Sequence, residues 1–291
     1  MYHNVVEPGQ VSPQLSPSVT SYFVTPRNFE QHLKLVKQVG SRGLSFQDLT
    51  ELLAASSKRG QTSLSLDEHS ARPCAVYLTF DDGWRGSVET AGPLLEQFGL
   101  SAHLFVTTGL IGSKDFVNER LLASLDTRLF HVGSHAHTHR PLSLLSRTQV
   151  EEELRRSKQQ LEEICAREVV SLSVPGGAVS PVVFELARQV GFRYVFTSRV
   201  GLNMVGRTDT HDIARVAVKA NTPLETVRRW LQGDLRPELR KQQWKQWLRR
   251  LLGERTYRKL RRRLLGEQTG QLEMVDLAAC NSPVDDHSLA E

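Results

Sequence analysis

Two adjacent carboxylates, Asp81 and Asp82, close an apolar, β-favouring run, Ala75-Val76-Tyr77-Leu78-Thr79-Phe80, and Gly83 turns the chain away behind them. Side-by-side acids repel unless a cation lies between them or one of them holds a proton. Neighbouring side chains on extended backbone point to opposite sides, so the pair can divide its work. One can bind a metal while the other acts as base on metal-bound water. A turn with two solvated acids is the plainer reading of the same residues. A second group lies some fifty residues on, where Phe130-His131-Val132-Gly133-Ser134 leads into His135, His137 and His139, and Pro141 stops the segment from continuing as a regular ladder or helix. Neutral imidazoles are the commonest metal ligands, and two of them with one carboxylate make an open catalytic site. Three alternating histidines at a strand end favour a metal over a structural role.

Thr79-Phe80-Asp81-Asp82-Gly83 followed by Gly133-Ser134-His135-x-x-x-His139 resembles the polysaccharide deacetylases, the chitooligosaccharide-deacetylase-like carbohydrate esterases, over roughly residues 20–220. The resemblance implies an α/β fold, a distorted (β/α) barrel of about seven parallel strands. It also implies a divalent metal, zinc first, with cobalt, manganese or iron fitting the same donors, held by Asp82, His135 and His139 with Asp81 as catalytic base. The implied chemistry is hydrolysis of an N-acetyl group on an amino-sugar polysaccharide or glycan precursor. Val174-Pro175-Gly176-Gly177 is the third matching segment, and there the Gly176 N–H is expected to help stabilise an oxyanion.

This chain departs from the family pattern at two points. Many relatives carry an arginine two residues before the proline, to orient the base, and Ser173 stands there. The late Leu-x-His triplet that usually supplies a general acid is absent, which leaves His211 as the first candidate, then His3 and His137. Arg215 opens a segment similar to the Arg-x-x-Val stretches of bacterial biosynthetic members and receives no catalytic role. These departures give the main alternative, a catalytically impaired carbohydrate-binding relative. An aspartyl phosphotransferase fits less well, because that chemistry wants Asp-x-Asp-x-Thr.

The elements that must position these groups alternate between strand and helix, the pattern of a parallel sheet or barrel with its chemistry at the C-terminal strand ends. A stub of a strand at Tyr2-His3-Asn4-Val5-Val6 comes first, then a Pro- and Ser-rich loop over 7–24. Thr25-Pro26 and Ser45 with Asp48 open helices. Later helices are expected over 87–98, 119–127 and 147–166, and strands at Ala102–Thr107, Phe192–Ser198 and Ile213–Val218. His103, alternating with apolar neighbours, reads as structural. Residues 1–73 are thus the strand stub and first barrel helices, 74–222 the catalytic core, 223–265 basic amphipathic helices and 266–291 a disordered tail.

Length and composition suit one large α/β domain: 291 residues, 39% hydrophobic and 24% charged. Cys74, Cys165 and Cys280 are odd in number and widely spaced, which indicates reduced thiols and excludes a disulfide framework. The start lacks the basic and apolar regions of a signal peptide and no run is long enough to span a membrane, so the expected location is cytoplasmic. From Arg236 to Arg263 twelve Lys/Arg stand against two acids, with Trp244, Trp247 and several leucines at helical spacing. A helix packed on the barrel with a solvated basic face and a helix on an anionic membrane surface, through residues 236–265, are the two leading readings. No nucleic-acid partner is expected, since the run carries no recognised binding motif.

Overall fold

The structure, a computed structural model, describes residues 1–55, 74–177, 179–265 and 272–281. The surface loop expected over residues 57–73 lies outside them. The strands are β1 (Asn4–Val5), β2 (Phe23–Val24), β3 (Leu78–Phe80), β4 (Ala102–Val106), β5 (Phe130–Ser134), β6 (Ser171–Ser173) and β7 (Tyr194–Phe196). The last five form one parallel sheet in the order β3-β4-β5-β6-β7, and β1 pairs in parallel with β2. The sheet curls until its two edges meet through residues 1–2 and 213–218. Tyr2 bridges Phe80, its N–H donating to Thr79 O at 2.7 Å, while Ile213 bridges Phe196 on the far edge. Val218 N–H donates to Met1 O at 2.9 Å, and the Met1 nitrogen donates to Val216 O at 2.9 Å. The result is a distorted (β/α) barrel.

Around it run α1 (Pro17–Thr20), α2 (Pro26–Gln38), α3 (Phe46–Ala54), α4 (Gly86–Glu89), α5 (Ala91–Gln97), α6 (Glu119–Ala123), α7 (Arg147–Cys165), α8 (Pro181–Val190), α9 (Leu224–Leu231), α10 (Arg236–Leu265) and α11 (Met274–Asn281). Their starts follow local chemistry. The Thr25 hydroxyl accepts from Asn28 N–H ahead of Pro26, and Ser45 with Asp48 and Ser146 with Gln149 close capping boxes. The helix expected over 87–98 is two pieces, α4 and α5. Residues 7–24, expected as a loop, contain α1 and β2. Thr222 and Glu225 form no capping box: Pro223 caps α9 without a side-chain bond, and the Thr222 hydroxyl accepts from Lys219 N–H.

Two features of the basic C-terminal region differ from expectation. Residues 236–265 form one continuous helix rather than a pair. Residues 272–281, part of the expected disordered tail, pair back onto the N-terminal region. Leu272 N–H donates to Gln14 O at 2.8 Å, Ser16 N–H donates to Leu272 O at 3.1 Å, and α11 buries Met274 and Ala278 against Leu15, Val19, Phe23, Trp84, Leu110 and Phe116. Tertiary burial stabilises this short helix, which has little periodicity of its own. The main core fills the space between sheet and helices, with Phe29, Leu33, Phe80, Leu104, Val132, Leu154, Leu172 and Val195 fully enclosed. Inside the barrel His103 is buried, its ring nitrogens bonded to the Tyr77 hydroxyl at 2.8 Å and the Ser171 hydroxyl at 2.7 Å, which is a structural arrangement. That packing leaves room only for glycine at position 133, where a Cβ would lie 2.5 Å from Ser171 Oγ and 2.6 Å from His103 Nε2. No helix among the described residues is long and apolar enough to cross a membrane.

Candidate metal centre

Parallel register carries the site residues to one rim. Phe80 pairs with Leu104 and Leu104 with Val132, and the ladder runs on past the strands: Thr107 N–H donates to Asp82 O at 3.2 Å and His135 N–H to Val106 O at 2.8 Å. Asp82 and His135 therefore stand at nearly the same level on the ends of β3 and β5, which flank β4. Asp82 adopts a left-handed φ of 77°, a conformation that costs a non-glycine residue roughly 1–3 kcal/mol and that the surroundings must enforce. Gly83, at φ 86°, completes the reversal with Val106 packed close against it. Ala136 and His139 are also left-handed, both at φ 59°, and this winds the short loop back so that His139 faces the ring of His135, centroids 5.1 Å apart.

Asp82, His135 and His139 each offer one ligand atom, and these atoms lie within 4.8 Å of one another. Nε2 of His135 is 3.3 Å and Nε2 of His139 3.2 Å from Asp82 Oδ1, yet among the described residues this buried oxygen has no partner in hydrogen-bonding geometry. The imidazole nitrogens and the carboxylate oxygen converge on a common point instead of bonding to one another, the arrangement expected of donors to one cation. Two neutral imidazoles and one carboxylate also suit a divalent transition metal chemically. Burial opposes ionisation of Asp82, but the imidazoles of His3, His135 and His139 outweigh it and hold the carboxyl well below the usual range. The His135 Nδ1–H donates to Ser173 O at 2.7 Å, which fixes the tautomer and leaves Nε2 free to ligate. Trp84 Nε1–H donates to the second oxygen of Asp82 at 3.1 Å, and its ring stacks on Phe116 at 4.0 Å within the cluster that α11 covers.

The loop between the two histidines is tied to α7 by Glu153, a buried acid. Its carboxylate accepts from His137 N–H at 2.9 Å, from Thr138 N–H at 2.8 Å and from the Thr138 hydroxyl. His137, an alternative candidate, lies outside the cluster: its Nδ1 bonds the Thr108 hydroxyl at 2.8 Å and its carbonyl accepts from Gly109 N–H.

Asp81 faces a different set of groups. Arg215, buried in the closing segment, donates from Nη1 to Asp81 Oδ1 at 2.7 Å and from Nη2 to Oδ2 at 2.9 Å. It further bonds the Ser173 and Thr79 hydroxyls and the Thr197 carbonyl, so the guanidinium is fully engaged. Ser173 Oγ–H itself donates to Asp81 Oδ2 at 3.1 Å. Burial alone would raise the Asp81 carboxyl, and Arg215 with His135 overrides it to hold the group below its ordinary value. Sequence reasoning missed this pair. The residue expected before Pro175 is replaced by a small serine that makes room, and the arginine arrives from residues 213–218, which close the barrel; expected as a strand, this segment bridges Phe196 at Ile213 and is otherwise irregular. A lone arginine in the apolar run Ile213–Val218 was the available signal, because a charge buried in a strand requires a partner.

The two remaining acid candidates, His211 and His3, separate. His211 sits beside Thr210, whose carbonyl accepts from Val195 N–H at the start of β7, and His211 Nε2 bonds Phe192 O at 3.1 Å. It lies at the N-terminal end of the strands, on the opposite rim from the metal ligands, because the chain returns the length of β7 before it. His3 lies instead within electrostatic reach of Asp82, Asp81 and His135, its ring tilted against Tyr22 at 4.4 Å and its buried Nδ1 without a hydrogen-bond partner among the described residues. Gly176 follows β6 on the site rim at φ 62°, with open space around its α-carbon.

Residues 68–195 match the family model of the polysaccharide deacetylases. YxkH of Bacillus subtilis (strain 168), whose name places it in that group, is 25% identical over 201 residues, 69% of this chain and 64% of its own, so the chain spans a little under two thirds of that relative. The poly-beta-1,6-N-acetyl-D-glucosamine N-deacetylase of Staphylococcus aureus (strain MRSA252) is 21% identical over 229 residues, 74% of either chain. Among solved structures, IcaB from Ammonifex degensii superposes with a TM-score of 0.64 at 25% identity, covering 79% of this chain and 94% of its own. The Streptococcus pyogenes deacetylase PplD, in complex with acetate, gives 0.64 at 20%, covering 79% and 96%. Through residues 68–195, the chain is similar to the polysaccharide deacetylases.

Proposed function

We propose that this protein is a metal-dependent N-deacetylase that removes acetyl groups from an amino-sugar polysaccharide or glycan precursor. The observation that carries the reading is the juxtaposition of the Asp82–His135–His139 donor set with a second carboxylate, Asp81, held ionised by Arg215. A divalent cation at the first set, zinc or one of cobalt, manganese and iron, would polarise an acetamide carbonyl and acidify water. Asp81 then takes the proton from the attacking water, for which it must be both ionised and fixed in place, the two properties that Arg215 confers. The oxygen of that water bonds to the carbonyl carbon, and the Gly176 N–H would stabilise the developing oxyanion. His3 delivers a proton to the nitrogen as the carbon–nitrogen bond breaks, releasing acetate and a free amine. This role passes to His3 from His211 on position alone.

The alternative of a carbohydrate-binding relative without activity loses its main support, since the base has its arginine from position 215. The test is acetate release from N-acetylated glucosamine oligomers and from β-1,6-linked N-acetylglucosamine polymer. Wild type is expected to release acetate, and Asp81→Asn to lose a hundred- to ten-thousandfold in kcat while retaining the metal. A variant as active as wild type would remove Asp81 from the reaction.

A further inference from the structure

Helix α10 carries charge and apolar surface that the deacetylase site does not use. Between Arg236 and Leu265 there are twelve Lys/Arg and two Glu. Its first turns are anchored to the barrel: Glu238 pairs with Arg229, and the Gln242 side-chain oxygen accepts from Val200 N–H at 2.8 Å. Beyond that anchor the helix turns three large apolar side chains outward, Trp244 (63% exposed), Trp247 (51%) and Leu251 (64%). Spaced i, i+3, i+7, they share one face, and the two indole rings stack at 5.0 Å. Exposed Arg240, Lys241 and Lys245 flank this stripe, and none of them is ion-paired among the described residues. Isolated exposed apolar residues need no explanation, but two tryptophans and a leucine on one stripe, set in unpaired cations, form a surface with a defined complement.

We propose that this face of α10 docks on an anionic membrane surface. Indole rings favour the headgroup level of a bilayer, where the apolar ring and the polar N–H are both accommodated. Lysine and arginine around them meet the phosphates of acidic lipids, each contributing roughly fivefold in partition when close to the surface. A protein groove would suit the stripe but leave the excess of cations unmatched. Nucleic acid would suit the cations but give a tryptophan–leucine stripe no apolar medium. The stripe and its cations share no residue with the metal centre, so the proposal stands or falls independently of the deacetylase reading.

The test is co-sedimentation of the full chain with vesicles of phosphatidylcholine alone and of equal parts phosphatidylcholine and phosphatidylglycerol. Wild type is expected to bind the anionic vesicles, to bind the neutral ones far more weakly, and to lose binding as salt rises. Arg240→Gln/Lys241→Gln/Lys245→Gln is expected to weaken partition roughly a hundredfold. Trp244→Ser/Trp247→Ser is expected to weaken it at least tenfold, with thermal melts of both variants unchanged because the replaced side chains are exposed. Tryptophan emission of wild type should also be quenched by brominated lipid. Failure to bind anionic vesicles, equal binding to neutral ones, or undiminished binding by the tryptophan variant would overturn the proposal. Self-association abolished by the tryptophan substitutions, without vesicle binding, would overturn it in favour of a second copy of the chain.

Discussion

Arg215 grips both oxygens of Asp81, at 2.7 and 2.9 Å, across a sequence separation of 134 residues. The contact exists because residues 213–218 close the barrel beside β7 and because Ser173 is small enough to let the guanidinium through. It joins the closing segment to the end of β3 and holds the Asp81 carboxylate ionised and in place.

Arg215→Lys keeps a positive charge but loses the two-pronged grip. The expected outcome is a kcat reduced about a hundredfold with KM and metal content little changed, since a small misplacement of a reacting group costs on that order. Arg215→Ala leaves Asp81 buried and unpaired, and should lower stability by about 3–5 kcal/mol in denaturant melts.

Trp84 can be divided into its two contributions. Trp84→Phe preserves most of the packing on Phe116 but removes the N–H that orients Asp82, so metal affinity should fall about ten- to a hundredfold by competition with a chelating dye. Trp84→Ala empties a fully enclosed position and should cost about 3–5 kcal/mol.

Glu153 touches no ligand, yet its carboxylate holds the backbone of the loop that sets the distance between His135 and His139. Glu153→Gln provides one acceptor oxygen in place of two and should weaken metal binding about tenfold. Excess metal should restore activity in that variant, which a global loss of structure would not allow.

Much of this site was legible because its candidate ligands are local. Asp81-Asp82-Gly83 and His135-x-x-x-His139 each lie within a single turn after a strand, and parallel strands bring such turns to one rim. Arg215 was not legible as a partner of Asp81, because only closure of the barrel brings the two together. His211 precedes a strand segment, and a residue in that position lies at the N-terminal rim of a parallel barrel, away from the chemistry. Helix α11 was hidden for a related reason: its sequence forms a weak helix alone, and Trp84, Phe116 and Leu15 provide the surface that stabilises it.

The buried histidines predict a pH dependence of stability that is separate from catalysis. Burial, aided by Arg167, pushes His131 down to about 4, and its ring stacks on Phe46 at 3.8 Å with Nε2 unpartnered. Below pH 6.5 the unfolded chain gains a proton at this residue that the folded chain does not. The histidine therefore costs stability as pH falls toward 4, by about 1.4 kcal/mol per pH unit. His131→Phe keeps the stack and removes the proton site. It should be the more stable protein in acid, with a gap over wild type that widens from pH 6.5 to about 4 in urea melts and stays level above 6.5.

The central claim is that Asp82, His135 and His139 hold one divalent cation. It is tested most directly by metal analysis of purified wild type, Asp82→Ala and His139→Ala, each reconstituted in turn with zinc, cobalt and manganese and then dialysed. Wild type is expected to hold about one ion per chain and both variants to lose it, with secondary structure retained. A wild-type chain that holds no ion under any of these conditions, or variants that hold it as well as wild type does, would contradict the account.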